Sequence, residues 1–459
     1  MLQTFSIFTL GCKVNQYESQ QIRELLTGFG LRRVDLAQPP DLVVVNTCCV
    51  THTASAKSRR HIHQAQKHRP RAIVVCGCLP VAPAHELAIT DENVHVVKDR
   101  CDLAAALTRV VGGDSTTPNS RNAGESTDTT ITSEIDPKVK PKKDLAPPQD
   151  LPALTSFQGH TRAFLKIQDG CDAHCAYCII PQTRPQVHSK TPDKVLAEAG
   201  ALVAAGHREI VVTGVHVGAY GRPTVRRRRW PTPENPHLPG LLDRLARIPG
   251  LARIRLSSLD PADVTPALLD VFAAHSNLMP HLHLSLQSGS DDVLRRMCRP
   301  YSSDEFRAKV ELINRRLDRP AITTDIIVGF PTETDADFER TLSLAREVAF
   351  AKMHVFPFSP RQGTAAAKMP DRVSPQVVKE RSQILRDLDQ DLQYQFRNQF
   401  LGETAQVLIE TTNTHPSGRA ERYFMVRLTD SPLKPDNNQI ITTRIQKNTP
   451  DSVLASAHT

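Results

Sequence analysis

The sequence predicts an α/β chain in three successive parts: an open parallel α/β unit over residues 1–111, a partial (βα)6 parallel barrel over 153–399, and a small C-terminal β-barrel with a tail over 400–459. Three observations lead there. Short apolar runs alternate with longer segments of helical spacing, first near the N-terminus and again from about residue 160, as strands and helices do in parallel α/β folds. Residues 112–152, rich in Ser, Thr, Asp, Pro and Lys and without aromatics, separate the two and cannot bury enough surface to order themselves; they read as a disordered linker. Beyond about residue 400 the helical spacing gives way to short strand-like runs.

In the first part, residues 5–10, 42–46 and 73–76 read as strands and 16–28, 54–67 and 103–111 as helices. Cys12, Cys48 and Cys78 each follow one of the strands. Open α/β sheets bind ligands outside the carboxyl ends of their strands, so three thiols distant in sequence gather on one edge. Cys49 and Cys76 neighbour the set; Cys78 is favoured over Cys76 because it lies past the strand end. Ordinary buried cysteines are the alternative.

In the second part, strands are expected at 162–168, 209–213, 252–257, 281–286, 323–328 and 352–357, and helices at 192–205, 238–247, 263–274, 304–316, 334–348 and 374–398. Sites in such barrels collect at the carboxyl ends of the strands. Cys171, Cys175 and Cys178, spaced C-x3-C-x2-C, follow the first strand. Three thiolates hold three irons of a [4Fe–4S] cube and leave the fourth open. A zinc site completed by His174 or His188, or a disulfide loop, is the alternative. The other strand ends offer Thr213-Gly214-Val215, Ser257-Ser258, Gln287, Asp325 with Gly329, and Ser359 with Arg361, which together make a binding crevice. His281 and His283 read as polar strand positions. Residues 222–237 interrupt the repeat with Arg226-Arg227-Arg228-Arg229-Trp230, a phosphate-gripping loop or a solvated one. In the third part, residues 404–410, 423–428 and 439–444 read as strands.

Composition sets outer bounds. With 459 residues, 39% hydrophobic, the chain holds more than one packed core. No apolar run reaches the roughly 18 residues of a membrane helix. The N-terminus carries no signal-peptide pattern, and ten cysteines then point to metal binding in a reducing, cytoplasmic compartment. A formal charge of +8 and a pI near 9.0 permit a polyanionic partner without naming one.

Placed in order, these motifs resemble the methylthiotransferases, a branch of the radical SAM enzymes. The phrases that carry the resemblance are Thr9-Leu10-Gly11-Cys12-Lys13-Val14-Asn15-Gln16-Tyr17-Glu18-Ser19, Asn46-Thr47-Cys48-Cys49-Val50-Thr51, the C-x3-C-x2-C loop, and His354-Val355-Phe356-Pro357-Phe358-Ser359-Pro360-Arg361. The linker, the arginine insert and roughly the last 30 residues fall outside it. With Lys57-Ser58-Arg59-Arg60, the first two phrases look most like the group modifying threonylcarbamoyladenosine in tRNA (the MtaB-like group). Cys78-Leu79-Pro80 departs from the usual Cys-Tyr-Ala of the family, which touches loop geometry rather than a ligand.

The resemblance implies a radical SAM core, a TRAM-like C-terminal barrel, two [4Fe–4S] clusters and two S-adenosylmethionine molecules. The reaction implied is methylthiolation at carbon 2 of the adenosine beside the anticodon. Cys171, Cys175 and Cys178 would hold the cluster that reduces S-adenosylmethionine to methionine and a 5′-deoxyadenosyl radical; Cys12, Cys48 and Cys78 would hold the cluster that carries sulfur. Tyr177, Thr213, Gly214, Val215, Ser257, Gln287, Asp325 and Gly329 are expected to hold S-adenosylmethionine. Arg59 and Arg60 are expected on tRNA phosphates, and Arg361 on the threonyl carboxylate. A reductase, a sulfur donor and no membrane complete the expected partners. The rival readings are isopentenyladenosine as substrate, another radical SAM reaction, and a non-catalytic RNA-binding iron–sulfur protein. If two clusters serve one base, the N-terminal unit packs over the barrel mouth.

Overall fold

The computed structural model describes residues 2–82, 87, 91–112, 151–226, 234–429 and 435–457. Most of the expected linker and residues 227–233 of the arginine insert lie outside them. The first sheet is parallel throughout, in the order β2-β1-β3-β4-β5. Its strands are β1 (Thr4–Thr9), β2 (Arg32–Arg33), β3 (Leu42–Thr47), β4 (Ala72–Gly77) and β5 (Val94–Val96), and its helices α1 (Lys13–Gly28), α2 (His52–Lys67) and α3 (Leu103–Gly112). Every residue of β3 and β4 is buried, because helices cover both faces of the sheet and the runs are β-branched without alternation. The edge strands β2 and β5 span two and three residues, too short to show a pattern in the sequence.

The middle part contains six parallel strands: β6 (Ala163–Asp169), β8 (Glu209–Gly214), β9 (Arg253–Leu256), β10 (His281–Gln287), β11 (Ala321–Val328) and β12 (Lys352–Pro357). A short β7 (His188–Ser189) adds antiparallel to β6. The strands form two sheets, joined only by isolated bridges at Ile254–Leu278 and Leu259–Leu284. The helices are α4 (Ile180–Thr183), α5 (Pro192–Ala204), α6 (His237–Ala246), α7 (Pro266–Ala274), α8 (Asp291–Arg296), α9 (Ser303–Arg316), α10 (Asp335–Val348) and α11 (Pro375–Asn398). Alternation decides the two faces. Leu282, Leu284 and Leu286 of β10, Ile322, Ile326 and Val328 of β11, and Met353 of β12 join the core under the helices. Their neighbours His281, His283, Thr323, Asp325, His354 and Phe356 turn the other way, into the lumen.

The last part is a closed barrel, β13-β14-β15-β17-β16, from β13 (Thr404–Thr411), β14 (Ser417–Ala420), β15 (Met425–Leu428), β16 (Ile440–Asn448) and β17 (Val453–Ala457). This corrects one expectation. The expected strand at 439–444 is β16, but the residues beyond it, read as a tail, supply β17, which pairs with β15 and β16 and closes the barrel.

Buried charge ties the parts together. Lumen residues Arg253 and Arg255 donate to backbone carbonyls of the C-terminal barrel: Arg253 to Gln406 at 2.6 Å and Arg419 at 3.0 Å, Arg255 to Ala420 at 2.7 Å and Glu421 at 2.8 Å. On the other side α1 lies against β6, and Glu18 of α1 pairs with Arg184 at 2.9 Å and Lys166 at 3.1 Å. The Tyr17 hydroxyl donates to Glu198 at 2.5 Å, and the His52 amide to the Ser359 hydroxyl at 3.0 Å.

Candidate active site

The loop from Cys171 to Cys178 is shaped by what surrounds it. Gly170 has φ +77°, and a Cβ there would lie 1.7 Å from the Gln186 carbonyl oxygen, so only glycine allows the chain to turn off β6 here. Backbone bonds from Cys171 to the Arg184 carbonyl, from Ala176 to that of Met297 and from Cys178 to that of Cys175 then fix the loop. Cys171, Cys175 and Cys178 are half-buried and form no disulfide. Burial pushes the Cys171 thiol up to about 11 and that of Cys178 to about 12. Arg299 stands 3.3 Å from the Cys175 sulfur. Tetrahedral zinc would bring its ligand atoms within about 3.8 Å of one another. Among the described residues, neither His174 nor His188 joins these thiols in a group that close. Three half-buried thiols on one tight loop, none in a disulfide, could hold three irons of a [4Fe–4S] cluster.

The second set sits on the carboxyl edge of the first sheet. Cys12 stands at the N-terminus of α1, Cys48 just past β3 and Cys78 just past β4. Two glycines with positive φ make this possible. A Cβ on Gly11 (φ +96°) would lie 2.8 Å from Cβ of Cys48, and one on Gly77 (φ +92°) 2.4 Å from the Thr47 carbonyl oxygen. The bend at Gly77 also breaks the two-residue period of β4. Cys76 therefore faces the core with Phe5, Ile22 and Leu103, whereas Cys78 turns to the opposite cluster with Cys49 and Leu79. Burial pushes the Cys48 thiol up to about 12, while a hydrogen bond from Cys49 brings Cys78 down to about 7. Arg184 lies near Cys12, Cys48 and Cys78 and favours their charged forms. Ile179, next to Cys178, packs in the same cluster as Cys49 and Cys78, so the two sets adjoin.

The remaining expected residues divide. Thr213, Gly214 and Val215 end β8, where a Cβ on Gly214 would come 2.9 Å from the Gln168 carbonyl oxygen; packing against Gln168 already accounts for the glycine. Gly329 (φ +75°) is likewise required by α11, since a Cβ would lie 2.3 Å from Val378. Gln287 adopts φ +67° beyond a bulge in β10. Tyr177 packs beside Phe330, Met297 and Ala366. Arg60 is exposed on α2 and Arg59 half-buried. Arg361 is 1% exposed and donates to Ser55 of α2 at 3.1 Å: it sits at the join with the N-terminal part and does not line the lumen cavity.

That cavity, about 220 Å³, brings Ser257 and Asp325 together with residues that sequence reasoning passed over or read as plain strand positions: Lys13, His281, His283, His354 and Tyr423. His283 uses one ring nitrogen toward Thr323 at 2.9 Å and the other toward Asp325 at 3.2 Å. Burial lowers the pKa of His281, and partial desolvation, opposed by Asp325, lowers that of His354, which favours their neutral forms. Tyr423, from the C-terminal barrel, stacks on His281 at 4.3 Å and 8° and forms the floor. The signal for this cavity was the His-x-His alternation of β10, whose partners come from other strands and other parts of the chain.

Residues 165–345 match the Radical SAM superfamily, and residues 4–98 the uncharacterized protein family UPF0004. The chain is 35% identical over 423 residues to the threonylcarbamoyladenosine tRNA methylthiotransferase MtaB of Chlamydia pneumoniae, covering 92% of this chain and 90% of that one. It belongs to the radical SAM tRNA methylthiotransferases. It is also 33% identical over 470 residues to the tRNA-2-methylthio-N(6)-dimethylallyladenosine synthase of Neorickettsia sennetsu, covering 97% and 91%. In fold it is similar to the radical S-adenosylmethionine methyltransferase TsrM of Kitasatospora setae, solved with cobalamin and a [4Fe–4S] cluster, with a TM-score of 0.54 at 14% identity over 80% of this chain and 74% of that one. The methylthiotransferase cofactors are S-adenosylmethionine and [4Fe–4S]. No described helix is long and apolar enough to cross a membrane.

Proposed function

We propose that this methylthiotransferase acts on N(6)-threonylcarbamoyladenosine in tRNA, adding a methylthio group at carbon 2. Identity does not choose between the two modified adenosines, at 35% against 33%. The cavity does. Apart from Leu256 and the Tyr423 ring, its wall is Lys13, Ser257, Ser258, His281, His283, Thr323, Asp325 and His354. His281, His283 and Thr323 already bond one another, but a dimethylallyl arm would cover the Lys13 ammonium and the second ring nitrogen of His281 without pairing them, at about 1–3 kcal/mol each; a threonylcarbamoyl arm carries a carboxylate, a hydroxyl and amide groups that can.

In this reading Cys171, Cys175 and Cys178 hold one cluster and Cys12, Cys48 and Cys78 a second, within the expected units 153–399 and 1–111. When bound, the first supplies the electron that activates S-adenosylmethionine and the second supplies sulfur. Gly11 and Gly77 keep the N-terminal thiols on one edge, and Arg184 stabilises them as thiolates. Tyr177 and the ends of β8, β10 and β11 border the S-adenosylmethionine site. Arg59 and Arg60 face the tRNA backbone, and Arg226, anchored to the Asp172 carbonyl at 2.7 Å, carries the start of the arginine insert to the cysteine loop. A cytoplasmic reductase and a sulfur donor complete the cycle.

The test is an anaerobic reaction of the reconstituted protein with threonylcarbamoylated tRNA, read by nucleoside mass spectrometry. A gain of one methylthio group on that nucleoside is expected. A gain on isopentenyladenosine alone would overturn the substrate assignment and leave the chemistry standing.

A further inference from the structure

Building on the threonylcarbamoyl reading, we propose that the lumen cavity is a subsite for the amino-acid arm of the nucleoside, with Lys13 as the residue that pairs its carboxylate and Phe356 as the surface beneath its base. Lys13 opens α1, directly after Cys12, and its side chain reaches the cavity beside His281, His354 and Tyr423. Among the described residues none offers it a carboxylate within 4.0 Å; the neighbouring Asp325 is engaged by His283 at 3.2 Å. The ammonium therefore shares the cavity with one carboxylate, Asp325, but has no direct ion-pair partner of its own among the described residues.

The floor adds positive potential. Three guanidinium groups surround the Tyr423 ring, Arg419 at 4.4 Å, Arg255 at 5.2 Å and Arg162 at 5.7 Å from its centroid. Glu410 pairs with Arg162 at 2.9 Å and Arg419 at 3.6 Å, and Glu209 with Arg255 at 2.8 Å, so these three guanidinium groups face two carboxylates and the net charge still favours an anion. The same cations oppose a divalent metal at His283, Asp325 and His354, although the ligand atoms of these three lie within 4.8 Å of one another. The cavity, about 220 Å³, is large enough for one small polar arm and opens on one side. With the arm in the cavity, the base lies at its open side.

β12 supplies the surface for it. Met353 and Val355 pack into the core, so His354 and Phe356 share the lumen face. His354 lines the cavity, whereas Phe356, one step of about 7 Å further toward the mouth, is 45% exposed. An exposed aromatic ring above a polar, cationic well matches a planar base carrying an anionic arm. Because Lys13 adjoins Cys12, anchoring the arm there also sets the base beside the N-terminal thiols.

The experiment is fluorescence anisotropy of labelled anticodon stem-loops binding to the reconstituted full-length protein under anaerobic conditions. One loop carries threonylcarbamoyladenosine, a second the same nucleoside with its carboxylate converted to a primary amide, a third plain adenosine. The acid is expected to bind at least about tenfold tighter than the amide. Lys13→Met should abolish that difference, Lys13→Arg should keep most of it, and Phe356→Ala should weaken all three loops. Equal binding of acid and amide by the unsubstituted protein would overturn the subsite, as would a Lys13→Met protein that keeps the difference. If methylthiolation of threonylcarbamoylated tRNA proceeds while acid and amide bind alike, the subsite alone fails. If the difference is seen but that tRNA is never methylthiolated, the proposed reaction fails.

Discussion

Replacing Arg184 by Met tests how the N-terminal part is held on the barrel. The Arg184 side chain is 3% exposed and makes five charge-assisted or polar contacts: Nη1 to Glu18 at 2.9 Å and to both Asp169 oxygens at 2.7 and 2.9 Å, Nη2 to Glu18 at 3.0 Å and to Asn15 at 3.0 Å. Methionine fills much of the volume and removes the charge, leaving two buried carboxylates facing each other. Removing one partner of a buried ion pair costs about 3–5 kcal/mol. Lys166 stays in contact with both carboxylates, at 3.1 and 2.9 Å, so the lower end applies, about 3 kcal/mol. In a chain of several units a single unfolding free energy is poorly defined. Amide hydrogen exchange over α1 reads the local loss instead. Residues 13–28 should exchange roughly 100-fold faster in Arg184→Met than in the unsubstituted protein at pH 7. Adding Glu18→Gln should recover part of the loss, because it removes one of the orphaned charges. Exchange within threefold of the unsubstituted protein would refute the buried network as the clamp.

Two further outcomes follow from the same geometry. Cys78→Ser should lose about half of the iron bound after anaerobic reconstitution whereas Cys76→Ser should lose none, since Gly77 turns only Cys78 to the edge; equal losses would sink the assignment of Cys78 over Cys76. Stability should fall on acidification below about pH 4. Burial alone would raise the Glu18 and Asp337 carboxyls, yet Arg184 and Lys166 hold Glu18 below the usual range, and hydrogen bonds from Ser290 and Thr334 hold Asp337 down to about 2. The unfolded chain binds these protons first, so their stabilisation is present above the ordinary carboxylate pKa and fades as pH drops toward the folded values. Asp337→Asn should flatten the melting-temperature profile between pH 4 and 2, and an unchanged slope would contradict it.

The six barrel strands and the three strand-following cysteines of the N-terminal sheet were legible because each rests on a local pattern: an apolar run, a helical period, a residue just past a strand end. What escaped was of two kinds. The strands β2, β5 and β14 have two to four residues and little apolar periodicity, so only pairing with a neighbour defines them. The cavity escaped because its residues are ordinary in sequence. Lys13 read as part of a family phrase, His283 as a polar strand position and Tyr423 as the first residue of a strand, which in fact begins at Met425. Their meaning lies in long-range placement, since α1, β10 and the C-terminal barrel all contribute side chains to the same space. Arg361, expected on a carboxylate because guanidinium pairs well with one, donates to Ser55 of α2 at 3.1 Å, a contact between distant parts of the chain that no local pattern foretells.

Tyr423 shows why the C-terminal barrel is more than a separate grip on RNA. The residue adopts φ +72°, a conformation that costs a bulky side chain about 1–2 kcal/mol. An RNA-facing tyrosine on the outer surface would have no reason to accept that. Here the strained turn points the ring inward, onto His281 and among three guanidinium groups, and Arg253 and Arg255 of β9 lock the barrel's backbone carbonyls around it. Four buried guanidinium-to-carbonyl bonds from the lumen cannot break without leaving those donors desolvated, at a cost well above that of the turn. The floor of the cavity and the attachment of the barrel are therefore one structure. Under the proposed subsite, a tRNA that contacts the barrel would act on the same residues that border the nucleoside arm, so grip on the RNA and shape of the pocket would not vary independently.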